Sequence, residues 1–262
     1  MSETSPRHSP ARPADASSKP PRRTISRDEV ERILESHRVY LDKGRGRGQR
    51  ADLRATDLSG LNLAGANLRR ARMSHALLDG VDLKGADLAK ANLIGASLGR
   101  TCLVEAELTG ARISGANAAM ADLTAARLTN ADMEFAILTD AILTGACLRA
   151  VDLSGANLDG SDLRGADLRG ANLRGAGLRG ARLDEANLQG ARLGGAFLLG
   201  VSLRGADLRG AYLRIAKLDN ADLSGADLRE TEGLTRAQLD VARRNDRTKL
   251  PSGLFEGAMN GE

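Results

Sequence analysis

The stretch 165–183 reads GADLRGANLRGAGLRGARL and repeats one unit of five residues with small changes. The unit is Ala, Asp or Asn, Leu, a variable residue and Gly, and it runs in phase from residue 51 to residue 230. These 180 residues form 36 units, of which 32 carry Leu at the third position and 29 carry Ala at the first. A period of five matches neither the 3.6-residue period of a helix nor the two-residue period of a flat strand. The chain must therefore turn every five residues.

Glycine at the fifth position predicts that turn. It occupies 20 of the 36 fifth positions, and a type II turn needs positive φ at its second central residue. Each unit then forms one short extended side and a corner, with the central Leu and the small first residue pointing inward. Four sides close a square coil of 20 residues, and coils stack at strand spacing, about 4.8 Å. We expect an all-β solenoid of about nine four-sided coils, roughly 43 Å long, in which each coil is stable only when a neighbour covers its Leu side chains.

Composition agrees with a repeat array and excludes several other classes. Aromatic content is 2% with no Trp, while apolar content is 42%, so Leu and Ala must form the core. The two cysteines, Cys102 and Cys147, make neither a disulfide framework nor a CxxC pair. No apolar run is long enough to span a membrane, and the N-terminus lacks the apolar region of a secretory signal. These features indicate a cytoplasmic protein.

The net charge of +4 resides outside the repeats. Residues 1–50 hold 12 Lys and Arg against 7 Asp and Glu, whereas residues 51–230 hold 21 against 22 and residues 231–262 hold 5 against 5. The body is close to neutral, and aromatic side chains for base stacking are scarce. Direct binding of nucleic acid is therefore not expected.

The segments before the repeats have different compositions. Residues 1–24 are rich in Pro, Ser and Arg and predict a disordered basic leader. Residues 25–50 predict a helix and a linker, with Ser26 as N-cap and Glu29 completing a capping box. The apolar face of that helix comprises Val30, Ile33, Leu34, His37, Tyr40 and Leu41. It is placed to cover the first coil.

The segment after the repeats, 231–262, predicts a second capping helix and an extended tail. Thr235 and Gln238 have the spacing of a capping box, and Leu234 and Leu239 that of a hydrophobic staple. A helix over 235–244 would cover the open backbone of the last coil, which otherwise invites edge-to-edge association.

The units ADLRG (166–170) and ANLRG (171–175) closely resemble those of the pentapeptide repeat proteins. The resemblance covers residues 51–230, and the flanking ESHRVYLDKG and LTRAQLD segments also look like those of bacterial members. It implies a right-handed quadrilateral β-helix. The best understood members protect type II DNA topoisomerases such as DNA gyrase by mimicking DNA with an acidic rod surface. The resemblance therefore makes such a topoisomerase one candidate partner.

Sorting the charged residues onto the four sides tests DNA mimicry. Sides 1 to 4 start at Ala51, Thr56, Leu61 and Ala66, and they carry +6/−4, +3/−5, +4/−7 and +8/−6. No side has a dominant acidic stripe, because Arg often follows the central Leu beside an Asp. The rod departs from the acidic pattern of DNA mimics.

Chemistry-bearing residues are sparse in the sequence. His8, His37 and His75 lie too far apart for a triad or a metal site. The GRGRG run at 44–48 neither follows a strand nor precedes the Lys of a phosphate-binding loop. We expect no catalytic residue, metal site or cofactor, and hence no enzyme.

The repeat is irregular between residues 116 and 142. Five consecutive corners there lack Gly, and the stretch holds the only central Ala together with outward-pointing apolar residues. The candidate protein-interaction patch comprises Ala118, Met120, Phe135, Ile137 and Ile142. The alternative is repeat drift, in which type I-like corners accept other residues and Met120 or Phe135 folds over the space left at Ala118.

A second apolar group lies near the C-terminal end of the array. Its members are Phe197, Leu199, Tyr212 and Ile215. They suggest a homodimer contact through the C-terminal coils, although the helix over 235–244 competes for the same surface. The favoured function is a non-catalytic scaffold that binds a so far unidentified protein partner, and the alternative is a DNA-mimicking regulator of a type II topoisomerase.

Overall fold

Up to the last coil of the array, the residue at the second position of a repeat pairs in parallel with the residue 20 positions later. In the computed structural model, which describes residues 23–43, 47–252 and 254, these pairs run without a gap from Asp52↔Arg72 to Asp207↔Asp227. The Leu53 N–H donates to the Arg72 carbonyl at 2.7 Å, and the Arg72 N–H donates back to Ala51 at 2.9 Å. The chain is therefore a β-solenoid with a coil of 20 residues, as the period of five predicts.

The described residues also form two helices and two short strands. They are β1 (Arg23–Thr24), α1 (Arg27–Lys43), β2 (Thr56–Asp57) and α2 (Arg236–Asp240). Strand β1 pairs in parallel with β2 on side 2 of the first coil. Strand β1 thus lies inside the segment 1–24 that was predicted to be a disordered leader. The rest of that leader, residues 1–22, lies outside the described residues, as do 44–46, 253 and 255–262.

The interior consists of two stacked columns of side chains on each side of the coil. The Leu residues at the third position are buried throughout, and so are the Ala residues at the first position except Ala66, which is partly buried. Polar residues at the first position are also buried, and their hydroxyl groups donate to backbone carbonyls. The Thr101 hydroxyl donates to Leu78 O at 2.7 Å, and the Ser161 hydroxyl donates to Leu158 O at 2.6 Å. Every buried side-chain polar atom of the described residues has a partner.

All 36 corner residues have positive φ, whether or not they are glycine. The N–H that follows the corner donates to the carbonyl of the preceding Leu, as from Ala71 to Leu68 at 2.9 Å. Phe135 has φ +55° and Met120 has φ +59°. The type I-like corners considered for 116–140 are therefore wrong, because the stacking of coils imposes the same turn at every corner.

Helix α1 packs against the first coil as its apolar face predicts. The Glu29 N–H donates to the Ser26 hydroxyl at 3.2 Å, while the Glu29 carboxylate accepts from Arg23. Ile25, Val30 and His37 are buried, and Ile33 and Leu34 pack on the core. Neither of the helices that the structure describes has the length and apolar content to cross a membrane.

The segment after residue 230 continues the solenoid. Glu232 pairs with Tyr212, helix α2 takes the place of the next side, and Arg243 and Lys249 then pair with Asp222 and Asp227. The capping box of Thr235 and Gln238 is present, with Leu239 buried. The helix ends at Asp240 instead of 244, and the described tail is not a free extension, because the backbone of the last repeats needs partners.

Candidate functional site

The structure distributes the five residues of the 116–142 patch over two sides of the rod. Phe135 is the corner between sides 1 and 2, Ile137 follows it on side 2, and Met120 is the far corner of side 2 one coil earlier. Ile142 lies around the next corner on side 3, between Asp122 and Asp162. Phe135, Met120 and Ile137 are thus on or beside one side, whereas Ile142 faces another.

The side chains of Phe135 and Met120 do not fold over the space beside Ala118. They are 69% and 51% exposed, and Ala118 is buried without them. The Phe135 ring instead lies over the corner of the next coil, where a Cβ on Gly155 would come within 2.5 Å of Cε1 of Phe135. The fold-back version of repeat drift is wrong for both residues.

A groove of about 460 Å³ adjoins Met120 on side 2. Gly99 and Ala119 leave its floor open, and Asp79 forms the opposite wall. The Asp79 carboxylate accepts from the Gly99 N–H at 3.0 Å, so a Cβ at residue 99 would lie 2.8 Å from that oxygen. A side chain at residue 99 would displace the Asp79 carboxylate from this bond, and its absence leaves a depression beside an exposed apolar residue.

The second apolar group divides in a similar way. Phe197 and Leu199 lie on side 2, and Ile215 is at the corner where that side begins in the next coil. The Arg179 guanidinium lies over the Phe197 ring, 5.1 Å from the ring centroid. Tyr212 lies on side 1, with its ring over Gly194.

Helix α2 does not cover this group. Ile215 remains 70% exposed, and a groove of about 340 Å³ runs between Ile215 and Val241 beside the helix. Val241 is also exposed. Sequence reasoning missed Val241, since it lay inside the predicted helix 235–244.

Both apolar groups share side 2. The paired residues along that side run Asn117, Ile137, Asn157, Gly177, Phe197 and Lys217. Ile137 and Phe197 are three coils apart, about 14 Å at strand spacing. Side 2 also carries the fewest charged residues, at +3/−5. The rod thus has one face that is less charged and more apolar than the other three.

Phe135 and Ile215 are two of the 16 corners of the array that carry a side chain at positive φ. Ile215 has φ +56°, a conformation that is a genuine outlier for a β-branched residue. Side chains at such left-handed positions cost roughly 1–2 kcal/mol each. Neither Ile215 nor Phe135 regains that cost through burial.

Charged residues on the other sides are mostly paired. Arg at the fourth position bonds the carboxylate at the second position of its own repeat, as in Arg164–Asp162 at 2.5 Å, Arg169–Asp167 at 2.6 Å, Arg209–Asp207 at 2.7 Å and Arg229–Asp227 at 2.6 Å. The hydrogen bond from Arg209 holds the pKa of Asp207 well below its usual range. The pKa of Asp162 is likewise lowered by Arg164. This pairing limits the negative field of the rod.

Residues with catalytic or metal-binding chemistry do not converge. Across the described part of the chain, no group of three or more His, Cys, Asp or Glu side chains is arranged to hold a metal ion. Cys102 and Cys147 are free thiols. His37 is buried against the first coil and His75 is exposed at a corner, while His8 lies outside the described residues.

The comparisons with known proteins agree with this geometry. The family model described as pentapeptide repeats (8 copies) matches residues 49–85, 73–110, 106–145, 146–184, 181–218 and 206–240. No curated protein matches the chain. Among solved structures, HetL from the cyanobacterium Nostoc sp. strain PCC 7120, a pentapeptide repeat protein involved in regulation of heterocyst differentiation, is 32% identical. The match covers 84% of this chain and 94% of HetL, with a TM-score of 0.65.

A second solved structure shows a likeness of fold alone. It is a trypsin-treated form of QnrB1, a plasmid-mediated fluoroquinolone resistance protein, which is 19% identical over 67% of this chain and 88% of its own, with a TM-score of 0.54. The repeat period, the 20-residue coil and the family match lead to one conclusion. The chain belongs to the pentapeptide repeat family.

Proposed function

We propose that the protein is a non-catalytic scaffold that binds a protein partner through side 2 of the rod. The observation that carries this proposal is the exposure of Met120, Phe135 and Ile137 around a side with few charges. Apolar patches rimmed by polar residues mark interaction sites. Asn117, Asn157 and Asp159 supply such a rim here.

The rigid body of the rod suits such a role. We infer a right-handed rod of nine coils, with α1 and α2 covering its two ends. Side chains on side 2 are then fixed at strand spacing and lose little freedom when a partner binds. The similarity to HetL, a protein involved in regulation, supports a regulatory rather than a catalytic task.

The test is a pull-down with mass spectrometry that compares wild type with the triple variant Met120→Ser/Phe135→Ser/Ile137→Ser. We expect the partner of the wild type to be lost from the variant, because Met120, Phe135 and Ile137 are 51%, 69% and 41% exposed. Ile94→Ser is the matched control, since Ile94 is an outward apolar residue on side 1. Circular dichroism first checks that every variant folds. Retention of the same partners by the triple variant would contradict the proposal.

The C-terminal group is tested in the same experiment. The double variant Phe197→Ser/Ile215→Ser removes the two most exposed apolar side chains of this group, which lie on or beside side 2. Sedimentation of this variant beside wild type shows whether a homodimer depends on these residues. Partner loss in both multiple variants would extend the binding surface along side 2.

The alternative function, regulation of a type II topoisomerase by DNA mimicry, requires a continuous acidic stripe. The pairing of Asp162, Asp167 and Asp207 with Arg does not favour it. A gyrase supercoiling assay distinguishes the two functions. Inhibition of gyrase, or relief of quinolone poisoning, would replace the scaffold proposal with this one.

A further inference from the structure

His37 joins helix α1 to the backbone of the first coil. The Ala51 N–H donates to Nδ1 of His37 at 3.1 Å, so Nε2 carries the ring proton and donates to the Arg69 carbonyl at 3.0 Å. In the next coil the counterpart of that carbonyl, Ala89 O, accepts from Arg70 N–H of the preceding coil. No repeat precedes the first coil, so the His37 ring supplies the donor that a preceding coil supplies to Ala89 O.

The two bonds require the neutral form of the ring. A protonated imidazole carries hydrogen on both nitrogens, so Nδ1 would face the Ala51 N–H as a second donor. His37 is completely buried, and Arg50 adds a positive charge nearby. Burial is the main cause that lowers the pKa of His37, the Arg69 carbonyl opposes it, and Arg50 lowers it further.

The His37 ring has an aromatic neighbour and a charged neighbour. Tyr40 of α1 stacks on the ring with centroids 6.0 Å apart. Arg50, from the segment that enters the first coil, is the cation that acts on the ring, and Arg70, Arg72 and Asp52 interact electrostatically with Arg50. None of these neighbours is a histidine, the side chain whose ordinary charge change falls between pH 5 and 8.

The C-terminal end of the rod uses an amide for a similar contact. Gln238 Nε2 donates to the carbonyls of Leu213 and Ala216, both at 2.9 Å. An amide does not titrate, so the two ends differ in one chemical property.

We propose that protonation of His37 weakens the docking of α1, so that the N-terminal end of the rod opens at mildly acidic pH while the C-terminal end stays closed. The docked state binds the neutral ring, so its full stability is present above about pH 6.5, the usual value for histidine. That stability is lost progressively as the pH falls from there toward the lower pKa of the docked ring. Uptake of one proton limits the effect to a tenfold change in the opening constant per pH unit.

Hydrogen exchange on the full chain between pH 5.0 and 7.5, corrected for intrinsic rates, tests the proposal. We expect the opening constant of the α1 amides to rise as the pH falls, by no more than tenfold per unit, while the α2 amides show no such change. His37→Gln is the matched variant, because its amide can accept from Ala51 and donate to Arg69 without titrating. Its α1 opening constant should not depend on pH. The same pH dependence in His37→Gln, or none in the wild type, would overturn the proposal.

A second measurement stands independently of the variant. An NMR titration of the His37 ring protons in the wild-type protein should give a midpoint below the value of about 6.5 for an unfolded histidine. A midpoint at or above that value would overturn the proposal, even if His37→Gln failed to dock α1.

Discussion

At the scale of single residues, the second position of the repeat has a local task. The side chain of Asn62 accepts from the Ala64 N–H at 2.9 Å, and Asp82 accepts from Lys84 at the same distance. The bond recurs in most repeats that carry Asp or Asn there. The sequence predicts only an outward polar residue. The frequent occurrence of Asp and Asn at the second position, rather than Ser or Lys, is the feature of the sequence that indicates this turn bond.

The corner glycines also differ from one another once the structure is known. Gly155 and Gly175 occupy the same corner in successive coils, with φ +64° and +66°. A Cβ would meet the Phe135 ring at Gly155 and nothing within 4 Å at Gly175. Replacing either glycine by alanine therefore has the same backbone cost, but only at Gly155 does the new Cβ also meet the Phe135 ring.

We expect Gly175→Ala to lower the free energy of unfolding by roughly 1–2 kcal/mol, the cost of a left-handed L-residue. Gly155→Ala should cost at least as much, and it should also displace the Phe135 ring. Urea denaturation measures the first effect, and binding of the partner identified by pull-down measures the second. Weaker partner binding is expected only for Gly155→Ala. Equal loss of binding in both variants would contradict a role for the placement of the Phe135 ring.

At the scale of elements, local patterns predict where the helices start better than where they end. Ser26 accepts from the Glu29 N–H as an N-cap within one helix turn, although the Glu29 carboxylate bonds Arg23 instead of completing the predicted capping box. The apolar face of α1 is likewise a local pattern, repeated over about three turns. The end of α2 depends instead on distant residues, because Asn220 N–H donates to Val241 O at 2.8 Å and Arg243 pairs with Asp222. These bonds to the last repeats replace four predicted helical residues. A period that stops at residue 230 gives no sign of them.

Gln238 connects the cap of α2 with the end of the rod. Its Oε1 accepts from the Thr235 N–H at 2.8 Å, while its Nε2 donates to the carbonyls of Leu213 and Ala216. We expect Gln238→Ala to cost roughly 1–2 kcal/mol, because several hydrogen bonds are lost at a partly buried site. Urea denaturation monitored by circular dichroism checks this value.

Gln238→Glu separates the two tasks of the side chain. The carboxylate keeps the acceptor for Thr235 but faces the carbonyls of Leu213 and Ala216 without a proton to donate. We expect this variant to be no more stable than Gln238→Ala at pH 7. Stability equal to the wild type would show that the two carbonyl bonds contribute nothing.

At the scale of the whole molecule, the arrangement of side chains into faces follows from the period alone. Counting by 20 places Ile137 and Phe197 on one side, so the common face of the two apolar groups was accessible from the sequence. The irregular stretch 116–142 nevertheless suggested a patch made of residues close together in sequence. Ile142 was therefore included, although it lies on side 3. Exposure, the groove beside Met120 and the ring position of Phe135 depend on contacts between coils. No local pattern encodes them.

The paired aspartates predict how the stability of the whole rod depends on acid. Hydrogen bonds from Arg lower the pKa of Asp52, Asp162, Asp167, Asp207 and Asp227 in the folded state. A carboxyl group with a depressed folded pKa contributes stability that is present above its unfolded value of about 3.9 and is lost as the pH falls through the folded value. The contribution of these aspartates to the melting temperature should therefore be constant near neutral pH and should fall below about pH 4.

Asp162→Asn isolates one of these groups. The amide keeps an acceptor for the Arg164 N–H, which donates to Asp162 Oδ1 at 3.2 Å, but it cannot carry the charge that attracts the guanidinium. We expect its melting temperature to lie below that of the wild type at pH 7, with the difference closing as the pH falls toward 2.5. Asn187→Ala is the control, since it removes a comparable turn bond to Gln189 at 3.1 Å without removing a titrating group. Its difference from the wild type should not change with pH. A difference for Asp162→Asn that stays constant down to pH 2.5 would mean that the Asp–Arg pairs along the rod are placed by the repeat without stabilising it.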